Sequence, residues 1–357
     1  MSTVREFAVA KRRVQVVGRS TFIVSLPKSW ASRAGLSRGS YVYIEEMPDG
    51  SLRVTAERPR EELGWMTRVV DARGSSLEDA VRDVISSYIA GYDSIVVLYD
   101  EEKEELSWKL VEVCGERLAD LLVVSENPGM IVFSIARRQR AGNLAKLSSL
   151  MVRAILEITD ELVESARKRD IEKLRSLRDR DNIVDKIYFM MTKTLSKTLS
   201  GEISLAEAGV KSYVEILHLY HAAKTLERLS DHLSSASQTL AKLFSSQKEL
   251  SEEALALIEE TVKIEKEMLS AFLKLDVRQA KVAAASSEAL RRKLERYLAE
   301  ESDADKHSIA LDFYRVASYT LDIAEIVIDI NSVRELLQSR ARYITELSKI
   351  STSIENR

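Results

Sequence analysis

The sequence predicts a multidomain protein in which a mixed α/β part precedes an all-α part. All four prolines and nine of the twelve glycines lie before residue 131. Because proline and glycine mark turns between short elements, their loss predicts long uninterrupted helices in the rest of the chain. There the apolar residues recur every three or four positions, as in one buried stripe of a bundle helix: Leu144, Leu147, Met151, Ala154, Ile158 and Leu162.

Length and composition exclude several classes of protein. A chain of 357 residues exceeds the usual size of a single core, so we expect several domains. The single cysteine, Cys114, rules out a disulfide framework within the chain and a cysteine-rich zinc site. No apolar run approaches the roughly 18 residues of a membrane span, and residues 1–10 lack the core of a signal peptide. We therefore expect a cytoplasmic protein with no direct membrane insertion.

The charge of the chain is divided unevenly. The net charge is −3, but residues 1–40 carry one acid, Glu6, and eight basic residues: Arg5, Lys11, Arg12, Arg13, Arg19, Lys28, Arg33 and Arg38. A basic end attached to an acidic remainder is typical of a polyanion-binding module. The alternative is a solvated basic edge without a partner.

Residues 1–60 form the first predicted domain. Short β segments at 14–17 and 21–26 flank Gly18-Arg19-Ser20, and a short helix follows Pro27 and ends at Gly35. Two further strands, 41–46 and 52–55, alternate around Asp49-Gly50, which is a strong hairpin signal.

This order of elements, with Leu26-Pro27-Lys28 and Gly35-Leu36-Ser37-Arg38-Gly39, resembles the AbrB/SpoVT swapped-hairpin family over about 45 residues. The resemblance implies an intertwined dimer that binds DNA through basic residues on the first hairpin and its neighbouring loops. The candidates for phosphate or base contacts are Arg12, Arg13, Arg19, Lys28 and Arg33. The alternative is a module that only dimerises.

Residues 65–136 are predicted to form a small α/β unit of unassigned role. The pattern predicts a strand at 67–71, a helix at 77–90, a strand at 94–98 and a helix at 102–117, followed by strands near 121–124 and 131–135. No phosphate-cradling glycine pattern follows a strand here, so we assign this unit no chemistry.

The remaining chain is predicted to form six helices in two antiparallel three-helix bundles, at 143–245 and 250–345. The breaks are expected near 168–170, 200–209, 245–251, 274–276 and 301–306. Short connections between them favour antiparallel packing.

Two pairs of carboxylates stand out in the first bundle. Asp181 and Asp185 are four residues apart, as are Glu227 and Asp231, so each pair lies on one face of a helix. The midpoint between the pairs is Ala206, inside a predicted break, so the pairs should face each other across a hairpin. Four converging carboxylates suit a divalent or iron metal site, with iron or zinc as candidates. The alternative is a solvated acidic face.

The stretch from Glu227 to His232 resembles the most recognisable motif of the PhoU family of phosphate-uptake regulators, and the likeness covers residues 143–340. The resemblance implies two three-helix bundles, each with a carboxylate motif. The second half departs from that pattern, because the positions that match the four carboxylates hold Ser287, Arg291, Asp322 and Ile326. We expect the second bundle to keep the fold and to lose the site.

A swapped-hairpin module fused to a PhoU-like one resembles archaeal phosphate-uptake regulators. The predicted function is therefore a transcriptional regulator of phosphate transport, acting as a homodimer or higher homo-oligomer on double-stranded DNA. The alternative is an adaptor that inhibits a phosphate transporter ATPase or sensor at the cytoplasmic face of the membrane. We do not expect an enzyme, because no base or nucleophile accompanies the carboxylates in the sequence.

Overall fold

A computed structural model describes residues 11–18, 21–46, 52–56, 66–136 and 142–355, with the side chains of the last helix described up to residue 339. The chain divides into two compact units, Met1–Gly64 and Trp65–Arg357. The predicted fold class is confirmed: small strand hairpins come first, then a small α/β unit, then a mostly helical region.

The first unit contains two hairpins and a short helix. Strands β1 (Gln15–Val17) and β2 (Thr21–Ile23) pair antiparallel, with Val16 opposite Phe22. Helix α1 (Lys28–Arg33) follows Pro27, and Gly35 is in the left-handed conformation with φ +69°. Strands β3 (Tyr43–Glu46) and β4 (Leu52–Thr55) form the second antiparallel hairpin. The Asp49-Gly50 turn and the predicted contact residue Arg19 lie outside the described residues.

Many of the apolar side chains that the structure describes in the first unit are exposed within one chain. No described residue of this unit is buried. Phe22 is 74% exposed, Ile44 63% and Val16 59%. Apolar residues at this density normally need a covering surface, so the described part of the unit has no core of its own.

The α/β part begins the second unit and follows the predicted order of elements. Its strands are β5 (Thr67–Asp71), β6 (Ser94–Leu98), β7 (Leu121–Asn127) and β8 (Met130–Ile135), and its helices are α2 (Leu77–Ala90) and α3 (Glu104–Arg117). The sheet order is β5-β6-β8-β7, with β5 and β6 parallel and the other neighbours antiparallel. One face of the sheet packs under both helices, and its core includes Val70, Ile95, Val97, Tyr88 and Leu110.

The all-α part contains the six predicted long helices and one short helix within a predicted break. The long helices are α4 (Leu144–Lys168), α5 (Ile171–Leu199), α7 (Tyr213–Ser245), α8 (Glu252–Lys274), α9 (Val277–Glu300) and α10 (Ala304–Glu355), and the short helix is α6 (Leu205–Ala208). None of the helices within the described ranges combines the length and the apolarity that a bilayer span requires.

Two of the breaks share one local chemistry. Arg169 and Leu275 end their helices in the left-handed conformation, with φ 55° and 51°. The next residues, Asp170 and Asp276, cap the following helices by accepting a hydrogen bond from the backbone N–H three positions on. An aspartate cap satisfies an amide that the helix leaves unpaired, so both breaks were readable from the sequence.

The helices share a continuous apolar core. One cluster of buried residues runs from Leu144 to Ile330 and includes residues of both predicted bundles. Helices α7 and α10 pack against each other, which joins α4 and α5 on one side to α8 and α9 on the other. Division of the chain into four separate domains at 1–60, 65–136, 143–245 and 250–345 stays a prediction.

Candidate functional site

Helices α5 and α7 bring three of the four predicted carboxylates together. The two helices pack side by side, with Asp181 and Asp185 on α5 and Glu227 and Asp231 on α7. One carboxylate oxygen from each of Asp185, Glu227 and Asp231 lies within 4.8 Å of the others. We call these three residues the acidic triad. Glu227 is largely enclosed, with its side chain 12% exposed, and Asp231 lies at the open rim.

Asp181 lies one helical turn from Asp185 and outside the triad. Its Oδ1 accepts a hydrogen bond from the Ser230 hydroxyl on α7. Burial raises the pKa of Asp181, and the hydrogen bond from Ser230 partly opposes that rise. Asp181 therefore flanks the site with a satisfied oxygen rather than joining the cluster of three.

The acidic triad is electrostatically strained in the absence of a cation. Desolvation, followed by the charges of Asp181 and Glu227, raises the pKa of Asp185 to about 6. Desolvation and the neighbouring charges of Glu227, Asp181 and Asp185 raise the pKa of Asp231 to about 7. Like charges in a partly enclosed site disfavour simultaneous ionisation, so the site favours either retained protons or a bound cation.

Two basic residues at the site were missed by sequence reasoning. Lys224 Nζ donates to both oxygens of Glu227 at 2.7 Å and lies 4.8 Å from the centre of the Tyr188 ring. Arg117, at the end of α3, lowers the pKa of Asp185 through its charge. The i,i+3 spacing of Lys224 and Glu227 was a usable signal. No sequence pattern connects Arg117 to a helix almost seventy residues further along the chain.

The face of α5 that carries Asp185 also holds the α/β part. Phe189, one turn further, packs against the cores of both parts. Lys193, another turn on, forms an ion pair with Asp120 and lies 4.2 Å from the centre of the Tyr88 ring. These contacts follow a spacing of four residues, which is one helical face. The α/β part thus packs against the face of α5 that carries Asp185, Phe189 and Lys193.

The donor set fits a hard divalent cation. All three converging ligands are carboxylates, which suit magnesium, calcium, manganese or iron better than zinc, whose protein ligands are mainly nitrogen and sulfur. His232, the residue after Asp231, has its Nδ1 2.8 Å from Asp312 Oδ1 on α10. Cys114 is buried in the α/β core, and burial raises the pKa of its thiol to about 12. The residues present could therefore hold a metal through oxygen alone.

The corresponding positions of the second bundle have other contacts. The Ser287 hydroxyl donates to the Ala317 carbonyl at 2.7 Å, and Arg291 donates to the Tyr314 hydroxyl. Ile326 is buried in the core. A guanidinium and an alkyl group thus stand at two positions where the first bundle has carboxylates.

The predicted DNA-contacting residues that the structure describes are all exposed. Arg12 and Arg13 precede β1, whereas Lys28 and Arg33 are the first and last residues of α1. The Arg12 guanidinium donates to the Lys11 carbonyl at 3.1 Å, a contact that leaves its charge available. None of these four cations has an ion-pair partner among the described residues, so each is available to a polyanion.

Two family profiles match different parts of the chain. Residues 149–240 match the PhoU domain, and this range contains all four predicted metal ligands. Residues 15–62 match the profile of "antidote-toxin recognition MazE, bacterial antitoxin". One chain therefore carries both a PhoU domain and a MazE/AbrB-like hairpin domain, as the sequence predicts.

Two similar proteins are known from other organisms. The phosphate-specific transport system accessory protein PhoU homolog of Rhizobium meliloti (strain 1021) is 23% identical over 207 residues, covering 50% of this chain and 84% of that protein. The crystal structure of the phosphate transport system regulatory protein PhoU from Streptococcus pneumoniae is similar at 14% identity and a TM-score of 0.39, covering 53% of this chain and 94% of that one.

Proposed function

We propose that this chain is a phosphate-uptake regulator of the cytoplasm that binds DNA through its first unit and senses its signal through the helical part. The observation that carries the proposal is the presence of a MazE/AbrB-like domain and a PhoU domain in one polypeptide. The relative from Rhizobium meliloti, named as an accessory protein of a phosphate-specific transport system, supports the link to phosphate uptake. The role is regulation rather than catalysis.

DNA binding is supported by the charge and exposure of the first unit. Arg12, Arg13, Lys28 and Arg33 are exposed cations, and Arg19 adds a fifth basic residue between β1 and β2. Basic side chains that neutralise phosphates release condensed counterions, which makes binding strongly dependent on salt. A duplex offers regularly spaced phosphates, so a homodimer can place two such sets on one DNA segment.

A homodimer is supported by the uncovered apolar residues of the first unit. Residues such as Phe22, Val16 and Ile44 cannot be buried by the described part of their own unit. A unit of about 60 residues also buries too little surface to be stable with its apolar residues outside. A second copy of the same unit supplies a matching apolar surface.

The acidic triad is proposed as the site of a divalent cation in the PhoU domain. Asp185, Glu227 and Asp231 would hold it, and Asp181 would flank it. The raised pKa values of Asp185 and Asp231 support this role, because burial and then the neighbouring carboxylates disfavour their charged forms, and a bound cation would offset both effects. The bound cation supplies positive charge that fixes α5 to α7. Lys224 and Arg117 partly neutralise the site when the cation is absent.

A second function is favoured by one observation. The relative described as a transport-system accessory protein matches half of this chain, and the similarity covers 84% of that relative. An adaptor that binds a phosphate transporter ATPase or sensor is therefore the competing proposal, with the first unit serving only to dimerise.

Salt-dependent DNA binding by the full chain separates the two proposals. Binding to double-stranded DNA from the region upstream of the chain's own coding sequence is measured against salt concentration, together with footprinting. Each phosphate contact contributes about 0.9 to the slope of log affinity against log salt. Arg12→Ala with Arg13→Ala should therefore lower the slope by about 3 to 4 in a dimer if both side chains contact phosphates.

The control changes two exposed arginines of the second unit, Arg82→Ala with Arg292→Ala. This variant should keep the wild-type slope. Equal slopes for all three proteins would contradict the phosphate contacts of Arg12 and Arg13. The absence of salt-dependent binding and of a footprint would contradict DNA binding and favour the adaptor.

A further inference from the structure

One face of the α/β sheet carries apolar side chains that nothing in the described second unit covers. Val69 of β5, Val96 of β6 and Val132 of β8 lie in register across three neighbouring strands. Leu98 pairs with Met130 in the next row of the same face, and Leu122 of β7 extends it. We call these six residues the open face.

The open face lies opposite the face that packs against helices. Side chains alternate between the two faces of a strand, and the intervening residues Val70, Ile95, Val97 and Phe133 belong to the core with α2 and α3. Val69 is 61% exposed and Leu122 is 56% exposed, while Val96 and Val132 are half-buried by their neighbours.

A solvated sheet face normally carries polar residues. Antiparallel sheets with one face in water alternate apolar residues toward the core with polar residues toward solvent. Here the outward positions at the centre of the sheet are valines, a leucine and a methionine instead. β-branched residues in register across strands stabilise a sheet mainly when another surface covers them. The composition of the open face thus indicates a contact surface.

We infer that the open face packs against the open face of a second copy of this chain. The inference rests on the proposed dimer of the first unit, whose uncovered apolar residues call for the same partner. The sheet begins at Thr67, only three residues after that unit ends at Gly64. A dimer of the first unit therefore holds two sheets at high effective concentration.

The chemistry of the face also favours an identical partner. The valine row and its apolar neighbours are uncharged. The nearest charged group on this face, Asp71, lies beside Leu98 at the end of edge strand β5 and pairs with Arg73. Two copies can therefore meet without like charges at the centre, where an uncompensated charge would cost most. Two sheets that pack face to face lie about 10 Å apart with their strands about 30° from parallel.

The size of the face explains why it needs the first unit. Four strands about 4.8 Å apart and about 17 Å long form a patch of roughly 300 Å². A stable interface usually buries about 800 Å² from each partner. The open face is too small to hold a dimer alone, so its pairing depends on the proposed dimer of the first unit.

Cysteine labelling of the full chain tests this contact. In a Cys114→Ser background, Val69→Cys places a thiol on the open face, and Val282→Cys places one at an equally exposed position of α9, which is 59% exposed. Labelling with a maleimide is followed by mass spectrometry over a dilution series, and sedimentation gives the oligomeric state at each concentration.

We expect the Val69→Cys thiol to react at least tenfold more slowly than the Val282→Cys thiol when the chain is dimeric, and to react as fast after dilution to monomers. These results together would support the pairing of open faces.

Each of the other possible outcomes of this experiment contradicts a different part of the proposal. A dimer whose Val69→Cys thiol reacts as fast as the control overturns the pairing of open faces and leaves the dimer of the first unit intact. A chain that is monomeric at every concentration overturns the proposed dimer itself. Protection that persists in the monomer means that the chain covers its own sheet, which overturns the second copy as occupant.

Discussion

Lys193 of α5 lies with its ammonium nitrogen 4.2 Å from the centre of the buried Tyr88 ring of α2. The same ammonium pairs with Asp120, and the Tyr88 hydroxyl donates to the other oxygen of that carboxylate. One buried carboxylate thus joins α5 to the α/β part. The relationship matters for function, because Lys193 lies two helical turns from Asp185 of the acidic triad on the same face of α5.

Removal of the Lys193 ammonium group should destabilise the α/β part. Lys193→Met removes the partner of a carboxylate that is almost fully buried, and we expect the free energy of unfolding to fall by roughly 3 kcal/mol. Adding Asp120→Asn should recover part of the loss, because the unpaired charge is then removed. Chemical denaturation measures both effects, and hydrogen exchange should show faster exchange in α2.

The matched control for this variant is Lys168→Met. Lys168 forms a pair with Glu164 on the surface, with its side chain 67% exposed. Exposed pairs contribute little, so this change should leave the stability almost unaltered. Similar losses for the two lysines would contradict the role assigned to Lys193.

The acidic triad should bind a divalent cation that stabilises the fold. A ligand at a hundred times its dissociation constant adds about 2.7 kcal/mol to stability, so a chelator should lower the melting temperature of the wild type. Asp185→Asn with Asp231→Asn should abolish the metal content and the response to chelator. Elemental analysis and differential scanning calorimetry provide the measurements.

Two exposed acids of α5 supply the control for that variant. Glu172→Gln with Asp179→Asn removes the same amount of charge from α5, away from the triad. This protein should keep its metal and its response to chelator. A wild type without metal, whose melting is insensitive to chelator, would contradict the site.

Cation affinity should rise with pH between about 5 and 7. The metal binds ionised carboxylates, and the pKa values of Asp185 and Asp231 are raised to about 6 and about 7. Protons therefore compete with the cation below this range and no longer do so above it. The stability of the metal-free protein should change in the opposite direction. Its free energy of unfolding should fall as pH rises from about 4 to 7, because the folded chain holds protons that the unfolded chain has lost. Calorimetric titration at several pH values measures the affinity.

Glu265 should make the wild type less stable as pH rises. This residue of α8 is completely buried, Thr159 Oγ1 lies 3.1 Å from its Oε1, and its Oε2 has no hydrogen-bond partner among the described residues. Burial raises its pKa to about 8. The unfolded group ionises near pH 4.5, so stability is lost between about pH 4.5 and 8.

Glu265→Gln should remove most of this pH dependence. At pH 8.5 we expect the variant to be more stable than the wild type by a few kcal/mol, on the order of 3, since no charge need be buried. Glu260→Gln, at a surface residue that pairs with Lys293, serves as the control and should follow the wild-type profile. A Glu265→Gln profile parallel to the wild type would show that the group is ionised in the fold.

The full chain should sediment as a dimer whose affinity depends on the first hairpin. Phe22 and Val16 lie opposite each other and are both exposed in one chain. Burying one large apolar side chain contributes about 1.5–3 kcal/mol, so Phe22→Ser should weaken dimerisation at least tenfold. Leu217→Ser, at an equally exposed leucine of α7, should leave it unchanged. Equal dissociation constants for the three proteins would contradict the dimer of the first unit.

Much of the fold follows from local chemistry and could therefore be predicted from the order of residues. The ends of α4 and α8 were predictable because Asp170 and Asp276 cap the helices that follow. The meeting of Asp185 with Asp231 was predictable because two pairs with helical spacing lie equally far from one loop. Spacing along the chain records such features, either within a few turns of one helix or as equal distances from one loop.

The set of charged groups at the site depends instead on how distant helices pack. Helix packing produces the hydrogen bond from Lys224 to Glu227, the contact between His232 and Asp312, and the hydrogen bond from Ser230 to Asp181. These outcomes depend on side-chain directions and on helices from distant parts of the chain, whose packing no local pattern encodes. The contacts between α5 and the α/β part have the same origin. Packing of α2 and α3 against α5 determines which side chains Lys193 contacts, and no spacing along the sequence indicates that pairing.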